Sequence, residues 1–395
     1  MIAFLALYFV LSVTNLPPIL VLCPLLASGI LLLQETNTVS SAGLRQRDFT
    51  AWLIIALFLT SYAASVIFSY HLATSINAIA VLFPGLLIAY VFSQVSPIHI
   101  RQISWCLSML VLASSCTTVL MFLKSDYASL GAVFEQGRTP ALVVPNDMLL
   151  GIIFLPVLVA TFFNENRVIW KIIAISIVAI LVVAIYLVDS RICFLTAVMM
   201  VLVCLFHFRR KQFFISGFIF LISLFFADLF LQLGIVENFM LLRNENARLS
   251  IWFAGLTRWA DHPLLGFGPS NFEVAYRLGI SSMELPDWIM VEPRMVPWAH
   301  NIYIEALVER GFIGLTTQLL LFWLIFVRIW QRYKATANKL RAFYFALLVS
   351  YSGLLFAGLF EPTMQRIWVS NSIFIFLGLA YAPISLQKGY RQIKS

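Results

Sequence analysis

Charge is scarce in this chain. Only 11% of its 395 residues are Asp, Glu, Lys or Arg, against 61% hydrophobic, and its mean hydropathy is +0.93. A soluble globule needs a polar skin, so that class is excluded and the solvent must be lipid. Cysteine is sparse as well. The five cysteines (Cys23, Cys106, Cys116, Cys193 and Cys204) fall inside apolar runs with no C-x-x-C spacing. That pattern excludes a disulfide framework or cysteine metal cluster and leaves them as packing residues. Strand-like alternation of apolar and polar residues is also missing, which excludes a β-barrel. Lipid offers backbone groups no hydrogen-bond partner, so the long apolar runs must satisfy themselves as helices.

Those runs recur along the whole chain, and each is about twenty residues long, enough to cross a hydrocarbon core as a helix. The first, from Ile2 to about Leu33, is interrupted by Asn15, Pro17 and Pro18 and reads as one kinked span or two short ones. It has no basic flank or A-x-A site, so it does not read as a cleaved signal. Further spans are expected near 51–68, 76–95, 103–123, 147–163, 168–187, 191–207, 212–233, 301–327, 342–360 and 367–386. The expected fold is therefore all-α, a polytopic integral membrane protein of 11 or 12 transmembrane helices with one long periplasmic loop. Residues 1–233 form the first block of spans, 234–300 the loop with short amphipathic helices, and 301–395 the last spans, all within one membrane domain.

The positive charges fix an orientation. Arg45/Arg47, Arg209/Arg210/Lys211, the stretch Arg328 to Arg341 and the tail Lys388, Arg391 and Lys394 fall on one side when the spans alternate. Basic loops stay in the cytoplasm, so this side and the C-terminus are cytoplasmic. The +8 net charge is then a topology signal rather than a nucleic-acid footprint. No nucleic-acid partner is expected. The opposite side carries most of the acidic residues and four segments: 124–146, the turn Asp189-Ser190-Arg191, the loop 234–300, and the turn from Glu361 to Arg366. Loops as long as the third are usually functional.

Within the loop, the stretch from Asn246 to Trp259 has an Asn cap and apolar positions at Leu249, Trp252, Leu256 and Trp259, bordered by Arg248 and Arg258. It reads as a helix lying on the membrane surface. In His262-Pro-Leu-Leu-Gly-Phe-Gly-Pro-Ser-Asn271, Gly266 and Gly268 allow a tight turn, and Ser270 or Asn271 can cap a following short helix. A plain turn between two helices is the simpler reading of this motif. The loop closes on Trp288, Trp298 and His300, and a span starts at once. The positive end of that helix's dipole opposes a second positive charge, so His300 is expected to accept a proton; a polar anchor at the headgroups is the plainer alternative. Arg191 also opens a span, where a cation needs anionic company: either Asp189 or a phosphate. Glu361 and Arg366 either lean over the site or pair with each other. Asp228 reads as an interfacial acid. No carboxylate pair stands at metal-ligand spacing, so no metal or other cofactor is expected, and arginine is the candidate for neutralising a diphosphate.

The order of these pieces resembles the O-antigen ligase superfamily of bacterial membrane glycosyltransferases. The resemblance rests on Asp189-Ser-Arg191, Arg248-x3-Trp252, the run His262 to Phe272, and His300-Asn-Ile-Tyr-Ile-Glu-Ala-Leu-Val-Glu-Arg-Gly-Phe-Ile-Gly-Leu315, with Val144-Pro-Asn-Asp147 opening an earlier span. It implies transfer of a glycan from undecaprenyl diphosphate to a sugar hydroxyl of lipid A-core at the periplasmic face of the inner membrane, without a metal. His300 then falls on the base, Arg191 and Arg248 on the diphosphate ligands, and Asn301 and Tyr303 on substrate contacts. Asp189, Gly266, Gly268, Asn271 and Glu361 are secondary candidates. The superfamily also contains polymerases of O-antigen and exopolysaccharide and enzymes that glycosylate pilin. The compact loop favours the ligase. A transporter of lipid-linked sugars is the competing class, but it would show internal repeats and ionisable residues in mid-span. A catalytically silent scaffold is the third.

Overall fold

The computed structural model describes residues 49–96, 99–124, 148–188, 190–208, 247–285, 289, 291–292, 296–361 and 363–383; for a few positions inside helices, Arg191 among them, it describes the backbone alone. Among the described residues every regular element is a helix: α1 Phe49–Ile67, α2 Leu72–Ser93, α3 Ile100–Lys124, α4 Leu149–Ile153, α5 Leu155–Asn164, α6 Val168–Val188, α7 Arg191–Phe208, α8 Ala247–Trp259, α9 Phe272–Ile280, α10 Ile302–Ala335, α11 Asn338–Ala357 and α12 Ile367–Tyr381. The chain is a polytopic membrane protein. Helices α1, α2, α3, α6, α10 and α11 are long and apolar enough to cross a membrane, while α5, α7 and α12 are shorter apolar helices. The expected first span and the 212–233 span lie outside the described residues, as does Asp228.

Helix α6 shows why lipid is the solvent. Its buried stripe, Ala174, Ile177, Leu181 and Ala184, recurs at helical spacing, yet the opposite face presents Val168, Ile169, Ile172, Ile175 and Val182. A helix apolar all round suits a core or a bilayer, not water. Inside the bundle, α12 lies against α2 and α10 against α1. The α2–α12 contact is close because Gly85 and Gly378 leave room: a Cβ on Gly85 would lie 2.2 Å from the Phe374 ring, and one on Gly378 would lie 2.6 Å from the Ala89 carbonyl oxygen. Small residues let apolar helices gain dispersion energy where water supplies no driving force.

Two spans differ from their expected form. The one near 147–163 is two helices, α4 and α5, that meet at Phe154 just before Pro156. Proline removes a backbone donor and crowds the preceding turn, so the break is local in cause. The last loop-proximal span, α10, is broken at Gly311, whose φ of 66° and ψ of −171° belong to no helix. The His262–Asn271 motif seals this break. Phe267 and Gly268 donate their N–H groups to the carbonyls of Val308 and Glu309 at 3.0 and 2.7 Å; Phe312 and Ile313 donate to Pro263 and Leu264 at 2.8 and 3.3 Å. Backbone groups orphaned by the break therefore find partners in another segment, as buried polar groups must. The seal explains the glycines. Gly266 and Gly268 have φ of 67° and 96°, and a Cβ on Gly266 would lie 2.4 Å from the Glu309 carbonyl carbon. The motif continues down to the α1–α2 turn, where Tyr70 N–H donates to the Phe267 carbonyl at 2.8 Å and Ser75 Oγ to the Pro269 carbonyl at 2.8 Å. So the expected plain turn is a backbone clamp joining the loop to three spans.

The loop has its own small core of Ile251, Ala254, Phe267, Phe272, Ala275, Tyr276, Val296, Ala299 and Val308. Phe272 is fully buried there, and burying a Phe side chain contributes about 2–3 kcal/mol. Helix α8 enters this core with its small face, Ser250, Ile251, Ala254 and Gly255, and leaves Phe253 and Leu256 outside. Of the stripe read in the sequence, Trp252 and Trp259 pack against the same core, whereas Leu256 lies outside it. Close packing selects the small face, because a Cβ on Gly255 would meet the Phe272 ring at 2.9 Å. The expected cap Asn246 lies outside the described residues.

Candidate functional site

His300 sits in the one-residue corner between the loop and α10. Its φ is 51°, a left-handed conformation that a residue with a side chain rarely holds. Such strain costs about 1–3 kcal/mol and tends to persist at functional sites, where the surroundings impose it. Here the surroundings are clear. Asn301 caps α10, its Oδ1 accepting from the N–H groups of Tyr303 and Ile304 at 3.0 Å each, while its Nδ2 donates to the Leu359 carbonyl at 2.9 Å. On the other side, Trp252 Nε1 donates to the Ala299 carbonyl at 2.9 Å. Both neighbours of His300 are thus held.

The ring meets Glu361. His300 Nδ1 lies 2.9 Å from Glu361 Oε1, and Arg248 Nη2 donates to Glu361 Oε2 at 2.8 Å. Arg248 and Trp252 are four apart on α8, so one helix face delivers both the guanidinium and the ring that braces Ala299. A carboxylate can only accept, so Nδ1 carries the hydrogen in this pair, and in the neutral ring Nε2 is left with a lone pair. Glu361 is 8% exposed on its side chain, whereas His300 and Arg248 keep 26% and 33% of theirs open. The carboxylate is buried and the two groups it organises face outward. A guanidinium has five N–H donors in a fork, so Arg248 can hold Glu361 with one edge and meet an anion with another. Beside them, Arg366 lies over the Trp298 ring at 4.7 Å, and Trp298 packs edge-on to His300 at 6.1 Å. Trp298 and Arg366 therefore wall the site, a role their positions two residues before His300 and five after Glu361 only hint at.

Of the remaining candidates, Asn301 is occupied by capping. Tyr303 donates its hydroxyl to the Leu355 carbonyl at 2.9 Å, and its phenol is pressed into the bundle. Asn271 is 1% exposed and donates to Ser75 Oγ at 2.7 Å. It does not cap α9 through its side chain; Glu309 Oε1, far along the chain, accepts from the Phe272 N–H at 3.2 Å instead. Gly266 and Gly268 belong to the clamp. Arg191 is the first residue of α7; its side chain and Asp189 lie outside what is described. Among the described residues no group of three His, Cys, Asp or Glu gathers in a way that suits a metal ion.

Fold and site together define a polytopic membrane protein that presents an oriented imidazole and a guanidinium at one end of its helical bundle. Comparison with known families adds a likeness: residues 176–319 match the family model described as O-antigen ligase, and no curated protein matches the chain. The matched stretch runs from α6 into α10 and takes in Arg191, Arg248, the clamp motif and His300. The resemblance to the O-antigen ligase superfamily therefore holds where the site is built, and Glu361 lies beyond it.

Proposed function

We propose that this protein is an inner-membrane glycosyltransferase of the O-antigen ligase type. It moves a glycan from undecaprenyl diphosphate to a sugar hydroxyl of lipid A-core at the periplasmic face, and its C-terminus is cytoplasmic. The observation that carries this reading is the chain Arg248–Glu361–His300, with the base and the cation both facing outward from one buried carboxylate.

In this mechanism the acceptor hydroxyl oxygen attacks the anomeric carbon on the face opposite the leaving group. The new glycosidic C–O bond forms as the bond to the diphosphate oxygen breaks, and that centre inverts. His300 Nε2 takes the hydroxyl proton, a step that general bases typically speed by about 10²–10⁴-fold. Glu361 fixes the tautomer that makes Nε2 the acceptor. Negative charge grows on the departing diphosphate, and Arg248 together with Arg191 neutralises it. Preorganised charge of this kind commonly lowers a barrier more than any other single effect. Arginines, rather than a divalent ion, carry the charge in this reading.

The test is complementation of a ligase-deficient strain, scored by lipopolysaccharide ladders with wild type, His300→Ala, Arg191→Ala and Arg248→Ala at matched protein levels. Wild type is expected to restore the ladder and His300→Ala to lose it; full ladders from all three variants would end the enzyme reading. A polymerase of the same superfamily leaves a different trace: its loss gives core capped with a single repeat, whereas loss of a ligase gives uncapped core.

A further inference from the structure

The first turns of α10 carry two acids that the mechanism above does not use. Glu305 and Glu309 are 2% and 1% exposed and lie one turn apart on the same helix. Two buried carboxylates at that spacing are costly on stability grounds alone. Their surroundings show what they do. Thr363 Oγ1 donates to Glu305 Oε1. Gln365 Nε2 donates to Glu309 Oε2 at 3.0 Å, while the Phe272 N–H donates to the other oxygen at 3.2 Å. Each of these partners has a hydrogen to offer and meets a carboxyl oxygen. The buried Arg310 is the cation beside them; it bonds Gln318 and lies over the rings of Phe58 and Tyr62 at 5.7 and 5.3 Å.

Glu361 sits between the two sets of ties. Upstream of it, Ile302 N–H and Asn301 Nδ2 hold the carbonyls of Gly358 and Leu359, both at 2.9 Å. Downstream, Thr363 and Gln365 are held by Glu305 and Glu309. The same helix therefore fixes His300 at its N-terminus and grips the Glu361 turn from both sides. We propose that Glu305 and Glu309 are positioning residues: through Thr363 and Gln365 they hold the chain that follows Glu361 so that its carboxylate reaches His300 and Arg248 together. This rests on the transferase reading and names the device that sets its geometry.

The experiment uses the full chain in nanodiscs, with an undecaprenyl-diphosphate-linked glycan as donor and lipid A-core as acceptor. Thr363→Val removes the hydroxyl at nearly constant volume, and Thr363→Ser keeps it. Glu309→Met removes both acceptors at similar volume, whereas Glu309→Gln keeps a carbonyl for the Phe272 N–H and an amide that Gln365 can meet by turning its own. Thr363→Val and Glu309→Met are expected to lower kcat about tenfold with the donor KM within about twofold, since small misplacements of catalytic groups cost rate before binding. Thr363→Ser and Glu309→Gln are expected to stay within about threefold of wild type. Unchanged kcat in both Thr363→Val and Glu309→Met, or a loss that merely follows the amount of folded protein, overturns the inference. Hydrogen exchange of the amides between 359 and 366 decides the tether independently of turnover: it should quicken in Thr363→Val, and equal protection overturns the inference. A wild type that moves no glycan would instead sink the transferase reading.

Discussion

Two buried glutamates, one at each end of α11, are gripped by an arginine and touched by an aromatic ring nitrogen, and only one of them has a partner that can also accept a proton. At the Lys- and Arg-rich end, Glu165 takes Arg101 bidentately, Nε to Oε1 at 2.6 Å and Nη2 to Oε2 at 3.0 Å, with Trp105 Nε1 at 3.4 Å. At the other end, Glu361 gives one oxygen to Arg248 and the other to His300. Helix α11 has 20 residues, which at 1.5 Å per residue spans about 30 Å, a bilayer's hydrocarbon thickness. The difference lies in what the partners have left. An indole nitrogen and a guanidinium only donate, so nothing around Glu165 can take a proton. An imidazole has a second nitrogen, so Glu361 passes orientation on to a group that can accept one and that faces outward beside Arg248. Like company does not make like chemistry; spare valence does.

The sharpest way to break this comparison is Glu361→Gln. The amide keeps an acceptor for His300 but turns its NH₂ toward Arg248, so one of the two bonds becomes a clash of donors. Transfer is expected to fall about 100-fold or more, within the range that general-base steps contribute, while the amount of folded protein stays near that of wild type. Initial rates of lipid A-core capping in membranes check it. Rates within about threefold of wild type would reduce Glu361 to the status of Glu165.

Arg248→Lys sharpens the same contrast at smaller amplitude. An ammonium keeps the charge but loses the fork, so it can serve Glu361 or an anionic ligand but not both in fixed geometry. The expected loss is about tenfold in kcat/KM for the lipid-linked donor, with stability unchanged. If lysine served as well as arginine, the two-edged role assigned to Arg248 would fall.

Much of this architecture is legible in the sequence, and the illegible parts share one cause. Helices α1, α2, α3 and α6 appear close to their expected positions because a span is written locally, by some twenty apolar residues and their charged flanks. His300 and Arg248 are legible as types: a base at a helix start and a cation on an amphipathic turn. Their junction is not, because Glu361 lies 113 residues from Arg248 and 61 from His300, beyond the reach of any periodicity. The break at Gly311 is hidden for the same reason. Nothing local distinguishes Arg310-Gly311-Phe312 from a tolerated mid-helix glycine until Pro263 to Gly268 is laid beside it. Pro156, by contrast, announces its own break. Asn271 and Glu309 exchange roles on the same account: Asn is the expected cap in sequence, but a carboxylate delivered from α10 does the capping of α9.

The smallest expected effect falls on the other glutamate and is where the comparison is most exposed. Glu165→Gln should leave glycan transfer within about twofold of wild type, because the Arg101–Glu165–Trp105 corner lies a bilayer's thickness from His300. Its consequence is confined to stability. The hydrogen bond from Arg101 holds the Glu165 carboxyl below its ordinary range, so the charged form is favoured in the fold. A carboxylate with a lowered pKa contributes its stability in full above the value it has when unfolded, and loses it as pH falls through the lowered one. Arg101 keeps 58% of its side chain exposed, and after solvent screening the pair is worth roughly 0.5 kcal/mol. Wild type should therefore melt slightly above Glu165→Gln at pH 7, by roughly 1 °C, and the gap should close as the pH is taken below the usual glutamate range. Differential scanning fluorimetry of both proteins from pH 7 to pH 3 measures it. A gap that persists in acid would mean that the glutamine fails for reasons of packing, and a large fall in transfer would mean that the two ends of α11 are coupled after all.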